Sequence, residues 1–278
     1  MQRRGRGTPV ALPLTSKRRD GNDGTDLTRR GSRKGGERLS SLYTRVLFIT
    51  GVVVLAGHKE VLGQQAIINM PSADITPRGQ VFLMHETQTR VREPGRFWYG
   101  TNFLTLGVGG NTELAITSYN HGWPQTPNAA IGVGFKTGIQ LFEKTHAERE
   151  VQLTVGKMTI FSTTGRGVGN FTYSHGSFRL PGSGTRITAG ISGGTDELFK
   201  RDTVHFIGAV EHKFGKKWMV TAEWFSGRHD FGFLTPGIVY HPTPRTVAVL
   251  GYKIPNHASN GKSGIVFEFG IFLGGKKD

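Results

Sequence analysis

The chain has 278 residues and no cysteine, which suits one large domain or two small ones and removes disulfide frameworks, Cys-based metal sites and thiol nucleophiles. Mean hydropathy is −0.30, and no apolar run approaches the roughly 20 residues of a spanning helix; this excludes a polytopic helical membrane protein but not a barrel, whose two faces average out. The net charge of +15 invites a nucleic-acid partner, but residues 1–45, with 12 Lys/Arg against 4 Asp/Glu, hold +8 of it, and the rest is scattered apart from Lys213, Lys216 and Lys217, so no nucleic-acid surface is expected.

Residues 1–45 are rich in Gly, Arg, Ser and Thr without apolar periodicity, and such a segment is expected to be a disordered basic leader. Arg45 then precedes an apolar run from Val46 to Ala56, and small residues follow. Basic flank, short apolar stretch and small residues make a secretory signal over 46–63, with cleavage after Ala56 or after Gly63. The basic flank is far longer than an ordinary one, which leaves open a start downstream of Met1 or an unusual leader. Residues 64–77 read as a periplasmic N-terminal extension ahead of a barrel over 78–274.

From Arg78 onward the period changes to two. Ile265, Phe267, Phe269 and Ile271 share one face of the last run, and Val266, Glu268 and Gly270 the other. Trp218, Val220, Ala222 and Trp224 alternate with Met219, Thr221 and Glu223; Val204, Phe206, Gly208 and Val210 alternate with His205, Ile207, Ala209 and Glu211. Twelve such runs follow, near 78–87, 96–108, 112–120, 129–142, 150–162, 168–180, 184–192, 202–213, 217–226, 231–240, 245–254 and 263–273. Most exceed the roughly 5–6 residues of a soluble strand and match the roughly 9–11 of a tilted transmembrane strand. Short Gly- or Pro-bearing turns fall at the second, sixth, eighth and tenth connections, and long ones at the third, seventh and eleventh. The two kinds therefore sit at opposite ends of the strands, with 143–149 the one misfit, as in a closed antiparallel transmembrane β-barrel of about 12 strands. Aromatic residues at strand ends (Phe97, Trp98, Tyr99, Trp218, Tyr240, Tyr252) agree with interfacial girdles. A soluble β-sandwich is the alternative fold.

The stretches Trp224–Gly232, Pro236–Tyr240, Gly251–Asn256 and Phe267–Gly270 resemble uncharacterised bacterial outer-membrane barrels. They are similar to the group labelled "MetA-pathway of phenol degradation" and, more distantly, to long-chain fatty-acid transporters. The resemblance covers most of 66–278 and carries no catalytic signature. It implies a Gram-negative outer-membrane, porin-like channel or passive transporter of small molecules, apolar ones included. Outer-membrane lipid, the barrel-assembly machinery and a small-molecule solute are the implied partners. One departure is the end: assembly signals in such barrels finish on an aromatic residue, and here Gly-Gly-Lys-Lys-Asp follows Leu273.

Glu211, Glu223 and Glu268 lie mid-strand opposite the bulky apolar set, so a barrel turns all three inward, with His205 and Lys253 beside them. They are candidates for solute selectivity, or else for a mutually neutralising network that plugs a structural or adhesive barrel. Arg228, His229 and Asp230 form a loop cluster whose His and carboxylate suit acid–base chemistry, or a solvated turn. His175 and Ser177 share a strand face, as the His-x-Ser pair of outer-membrane lipid hydrolases does, but no acid in the next strand orients the imidazole. Gly165–Gly169 opens no helix and is a turn, not a phosphate loop. No cofactor and no metal site is expected.

Overall fold

The computed structural model describes residues 66–123, 129–142, 151–163, 167–199 and 201–275. The expected leader and signal segment lie outside these residues, as does the seven-residue misfit at 143–149.

The described residues form twelve strands in chain order. They are β1 (Gln80–Arg90), β2 (Phe97–Gly109), β3 (Thr112–Trp123), β4 (Ala130–Gln140), β5 (Val151–Ser162) and β6 (Val168–Arg179), then β7 (Thr185–Gly194), β8 (Val204–Phe214), β9 (Trp218–Phe225), β10 (Phe233–Tyr240), β11 (Thr246–Pro255) and β12 (Gly264–Gly274). A one-turn helix α1 (Asp196–Phe199) interrupts the β7–β8 connection. Each strand pairs antiparallel with its neighbours in sequence, and β1 pairs with β12 from Gln80↔Gly274 to Thr89↔Ile265. The sheet is thus closed and has no edge left to aggregate, which excludes a two-sheet sandwich. The tight turns, such as Gly110–Asn111 with positive φ at both residues, gather at one end of the barrel, the turn end. The connections 91–96, 195–203, 226–232 and 256–263 gather at the other, the loop end.

The period-two faces land as the alternation requires. Ile116, Val133, Phe206, Leu250 and Phe267 point outward, between 43% and 67% exposed, while Glu211, Glu223 and Glu268 point inward and are at most 2% exposed. An apolar belt this continuous around a closed sheet faces hydrocarbon, not water. Two polar patches interrupt it. His85 bonds Asn102 Oδ1 and Thr87 Oγ1 at 2.8 and 3.0 Å, and Asn102 donates to Ser118 at 3.2 Å, so this patch satisfies itself across β1–β3. Lys157 corrects the expectation that every strand charge turns inward. It lies exposed in the middle of β5, between the outward Phe135 and Thr172, and among the described residues it has no ion-pair partner.

The expected periplasmic extension is corrected as well. Residues 66–78 run inside the barrel: Ile67, Ile68 and Met70 are fully buried, and Arg78 bridges Gly107 at the turn end. Ile68 joins Phe82, Met219, Val239, Val247, Val249 and Phe272 in a lumenal apolar cluster. It fits because β10 and β11 carry glycine beneath it; a Cβ on Gly237 or Gly251 would stand 2.8 or 3.0 Å from Ile68 Cδ1.

Lys157→Leu is expected to raise the equilibrium unfolding free energy in lipid vesicles by about 2–4 kcal/mol, the cost of a lysine facing lipid at mid-depth. An unchanged stability would mean that something other than lipid covers β5.

Candidate functional site: a lumen closed by the N-terminal segment

The lumenal carboxylates anticipated from the alternation each hold a different partner. Glu223, on β9, accepts the consecutive backbone N–H groups of Ile68, Asn69 and Met70 at 2.9, 2.8 and 2.7 Å. Three amides in a row have no ladder to join inside a barrel, and an ionised carboxylate satisfies all of them at once. Glu211, on β8, is bidentate to Arg186 of the neighbouring β7 at 2.6 and 2.7 Å, and the same guanidinium binds Asp74 of the N-terminal segment through both terminal nitrogens at 2.8 Å. Nearer the start of β3, Glu113 takes Thr76 N–H and hydroxyl, both at 2.7 Å, and Lys136 at 3.1 Å. Gln152 donates to the Ala73 carbonyl. The segment is therefore held from Ile68 to Thr76 by side chains of β3, β5, β7 and β9, and it blocks the lumen on the turn side.

Sequence reasoning found Glu211 and Glu223 but not the segment that engages them. Arg186, Glu113, Lys136 and Glu86 were legible only as inward positions of their strands, and Ile67–Met70 as an apolar cluster with no strand to serve. The glutamates are not one constellation. Glu268 faces Glu86 across the β1–β12 closure, both are almost fully buried, and neither Glu268 oxygen meets an N–H or hydroxyl donor among the described residues. Lys253 donates to Gln88 at 2.7 Å, stands 4.3 Å over the Phe233 ring, and Gln88 donates in turn to Glu86 at 2.8 Å.

Above the segment the lumen is open space. A cavity of about 510 Å³ occupies the loop end, walled by Phe97, Tyr99, Tyr119 and Phe233 with Lys253 and Asn69 among its polar groups. A second, of about 210 Å³, lies deeper against β1–β6 and shares Asn69, Gln88, Tyr119 and Phe231 with the first.

The loop cluster is a packing device. His229 is 2% exposed, its ring lies 4.0 Å from that of His205, and its Nε2 bonds the Ser226 carbonyl at 2.7 Å. His205 bonds Ser192 Oγ at 2.7 Å, and Phe199 of α1 inserts against both imidazoles at 4.8 and 5.1 Å. Burial holds the His229 imidazole below the ordinary histidine range. Arg228 stays exposed and its backbone N–H donates to Asp202 at 2.7 Å, while Asp230 lines the vestibule. His175 and Ser177 are enclosed on one face of β6, opposite Gly190 and Thr188, and among the described residues no carboxylate bonds either His175 nitrogen.

No family model and no curated protein matches the chain. Among solved structures, the KdgM porin in complex with disordered oligogalacturonate superposes with a TM-score of 0.50 at 8% identity, over 71% of this chain and 99% of that one. The NanC porin gives 0.44 at 12% identity over 69% and 98%, and outer membrane protein Omp33 of Acinetobacter baumannii gives 0.40 at 9% over 70% and 98%. What the likeness to the first of these shows is the fold, a closed antiparallel β-barrel.

Two outcomes are expected. Arg186→Met leaves Glu211 buried, and Asp74 half-buried, without their cation; it should cost about 3–5 kcal/mol, read as a lower melting temperature, and free the segment for proteolysis near Asp74. Acidification should loosen the Phe199 cap. The folded protein resists protonating His229, so stability is full above about pH 6.5 and falls as pH drops through the unfolded value toward the lower folded one. Hydrogen exchange of the 195–203 loop at pH 7 and 5 measures this, and His229→Phe should flatten the difference.

Proposed function

We propose that this chain is an outer-membrane channel or passive transporter for small solutes, entered at the loop end and gated at the turn end by its own N-terminal segment. The observation that carries the reading is the pair of adjoining cavities that lead from the loops to mid-lumen inside a lipid-facing barrel. Passage to the turn end requires residues 66–78 to move, because they occupy the lumen there. The reading assigns the loop end to the outside and the turn end to the periplasm, in line with short periplasmic turns in such barrels. It also carries an exported precursor with its signal at 46–63, outer-membrane lipid around the belt, and the barrel-assembly machinery as a partner in biogenesis.

Charge narrows the solute. Among the described residues the charged side chains of the lumen are Asp74, Glu86, Glu113, Glu211, Glu223 and Glu268 against Lys136, Arg186 and Lys253. Oligogalacturonate, held by one porin of like fold, is a chain of carboxylates, and a lumen with this excess of acid disfavours such a polyanion. The motif resemblance to the phenol-degradation barrels supports a small, partly apolar cargo instead. A hydrolytic role is not part of the proposal, since among the described residues no carboxylate orients His175. The second reading, a plugged structural barrel, is favoured by the grip of Glu223 on three amides.

Single-channel recording of the purified chain in planar bilayers separates the two. The channel reading expects brief, cation-selective openings, and Glu223→Gln, which weakens the charge-assisted bonds to the segment, should raise open probability about tenfold or more. A silent protein whose silence survives Glu223→Gln would establish the plugged barrel.

A further inference from the structure

The inner cavity combines two features that solute passage alone does not require. Its wall is largely apolar and soft: Met84, Phe103, Met158, Phe171, Phe225 and Phe231 line it over a volume of about 210 Å³. Set into that wall is the carboxyl group of Glu86, which is 3% exposed and forms no ion pair among the described residues. Directly behind stands Glu268, its cross-strand partner, fully buried and bonded to no N–H or hydroxyl donor. Side chains paired across adjacent strands stand about 4.5–5.5 Å apart at Cβ, so two ionised carboxylates here repel strongly.

The bases within reach are already committed. Lys136 serves Glu113 at 3.1 Å, and Arg186 is shared between Asp74 and Glu211. Lys253 reaches the pair through the Gln88 amide, and Glu223 is held by three backbone amides. Glu86 thus looks onto a largely apolar chamber whose wall also carries the Glu113–Lys136 pair, with Glu268 behind it and one relayed ammonium beside it. Among the described residues no cation meets the Glu86 carboxyl directly.

We infer that this cavity is a binding site for a small organic monocation: an ammonium group seated at Glu86, backed by Glu268, on an aryl or branched aliphatic body held by Phe103, Met158, Phe171 and Phe231. The aromatic faces add cation–π attraction, and the apolar wall repays desolvation of the body. The inference deepens the channel reading, on which it rests for access from the loop end. It selects against free anions, whose charge would meet Glu86, and against inorganic cations, whose hydration the apolar wall cannot replace.

Calorimetric titration of the full chain in detergent with benzylammonium, benzyl alcohol, benzoate and potassium tests it. Benzylammonium should bind at least about tenfold more tightly than the isosteric alcohol, benzoate and potassium should give no heat, and Glu86→Gln should erase the advantage of the charge while leaving the alcohol unchanged. Equal binding of amine and alcohol, preference for benzoate, or an amine advantage that survives Glu86→Gln overturns the site. The comparison of ligands on the unaltered chain decides the matter even if Glu86→Gln fails to fold. Bilayer recordings of the same preparation keep the two proposals apart. Conductance without an ammonium preference sinks the site alone, and ammonium binding without conductance sinks the channel alone.

Discussion

Hydrocarbon on the outside of a closed sheet dictates where charge can go. A strand residue has two directions only, and in lipid an ionised side chain costs several times what a surface position costs in water. The glutamates of β1, β3, β8, β9 and β12 therefore converge on one narrow lumen, where they cannot all remain bare. Most of the interior follows from the ways they are satisfied. β7 and β4 answer with Arg186 and Lys136, opposite Glu211 and Glu113 in register. Glu223 has only Ala209 and Thr235 opposite it in the sheet, neither of which can neutralise it, and the N-terminal segment supplies its donors.

That segment gains from the arrangement as much as the barrel does. An extended chain inside a lumen has backbone N–H and C=O groups without a ladder, each of them costly if left dry. Ile68, Asn69 and Met70 solve this with one carboxylate, Thr76 with another, and the Ala73 carbonyl with Gln152. The apolar side chains alternate with these contacts. Ile68 lies on the glycine floor of β10 and β11, while Ile67 and Met70 meet Tyr173, Ile207 and Phe225. The two halves of the interface differ in character: the apolar half would be easy to displace, whereas the bidentate bonds of Arg186 to Asp74 and Glu211 tie down the half near the turn end.

The strands, their number and their faces were legible in the sequence because a lipid-facing barrel leaves an unusually direct record. Its strands are long, its alternation is strict, and the outside tolerates almost nothing polar. Glu268 could be turned inward from Ile265, Phe267, Phe269 and Ile271 alone. What the sequence hid is register and the path of the non-strand segment. That Glu86 faces Glu268 follows from the closure of β1 onto β12, across nearly two hundred residues, and no local pattern encodes it. Ile67–Met70 carries neither a two- nor a 3.6-residue period, because its conformation is set by Glu223 and not by its own chain. Lys157 escaped for the opposite reason: a rule that holds for every other charge in the middle of a strand gave no warning of its exception.

Satisfaction of charge also explains why the cavity lies where it does. From Ile68 to Met70 the N-terminal segment is drawn to the β8–β12 side by Glu223 and by the floor under Ile68, and at that level it leaves the β1–β6 side unfilled. The residues left on that side are the ones the segment cannot serve, Glu86 above all, because every amide from Ile68 to Met70 is already bonded elsewhere. The space that remains thus adjoins a carboxyl group that the segment leaves without an ion pair among the described residues. A ligand that brings a cation and an apolar body completes the interior by the same physics that seats the segment. If such a ligand pulls on Glu86 through Gln88 and Asn69, whose side chains are hydrogen bonded at 3.0 Å, its binding and the hold on the segment are coupled through one amide pair. Solute and gate then share a contact, which gives the barrel a physical means of answering what enters it.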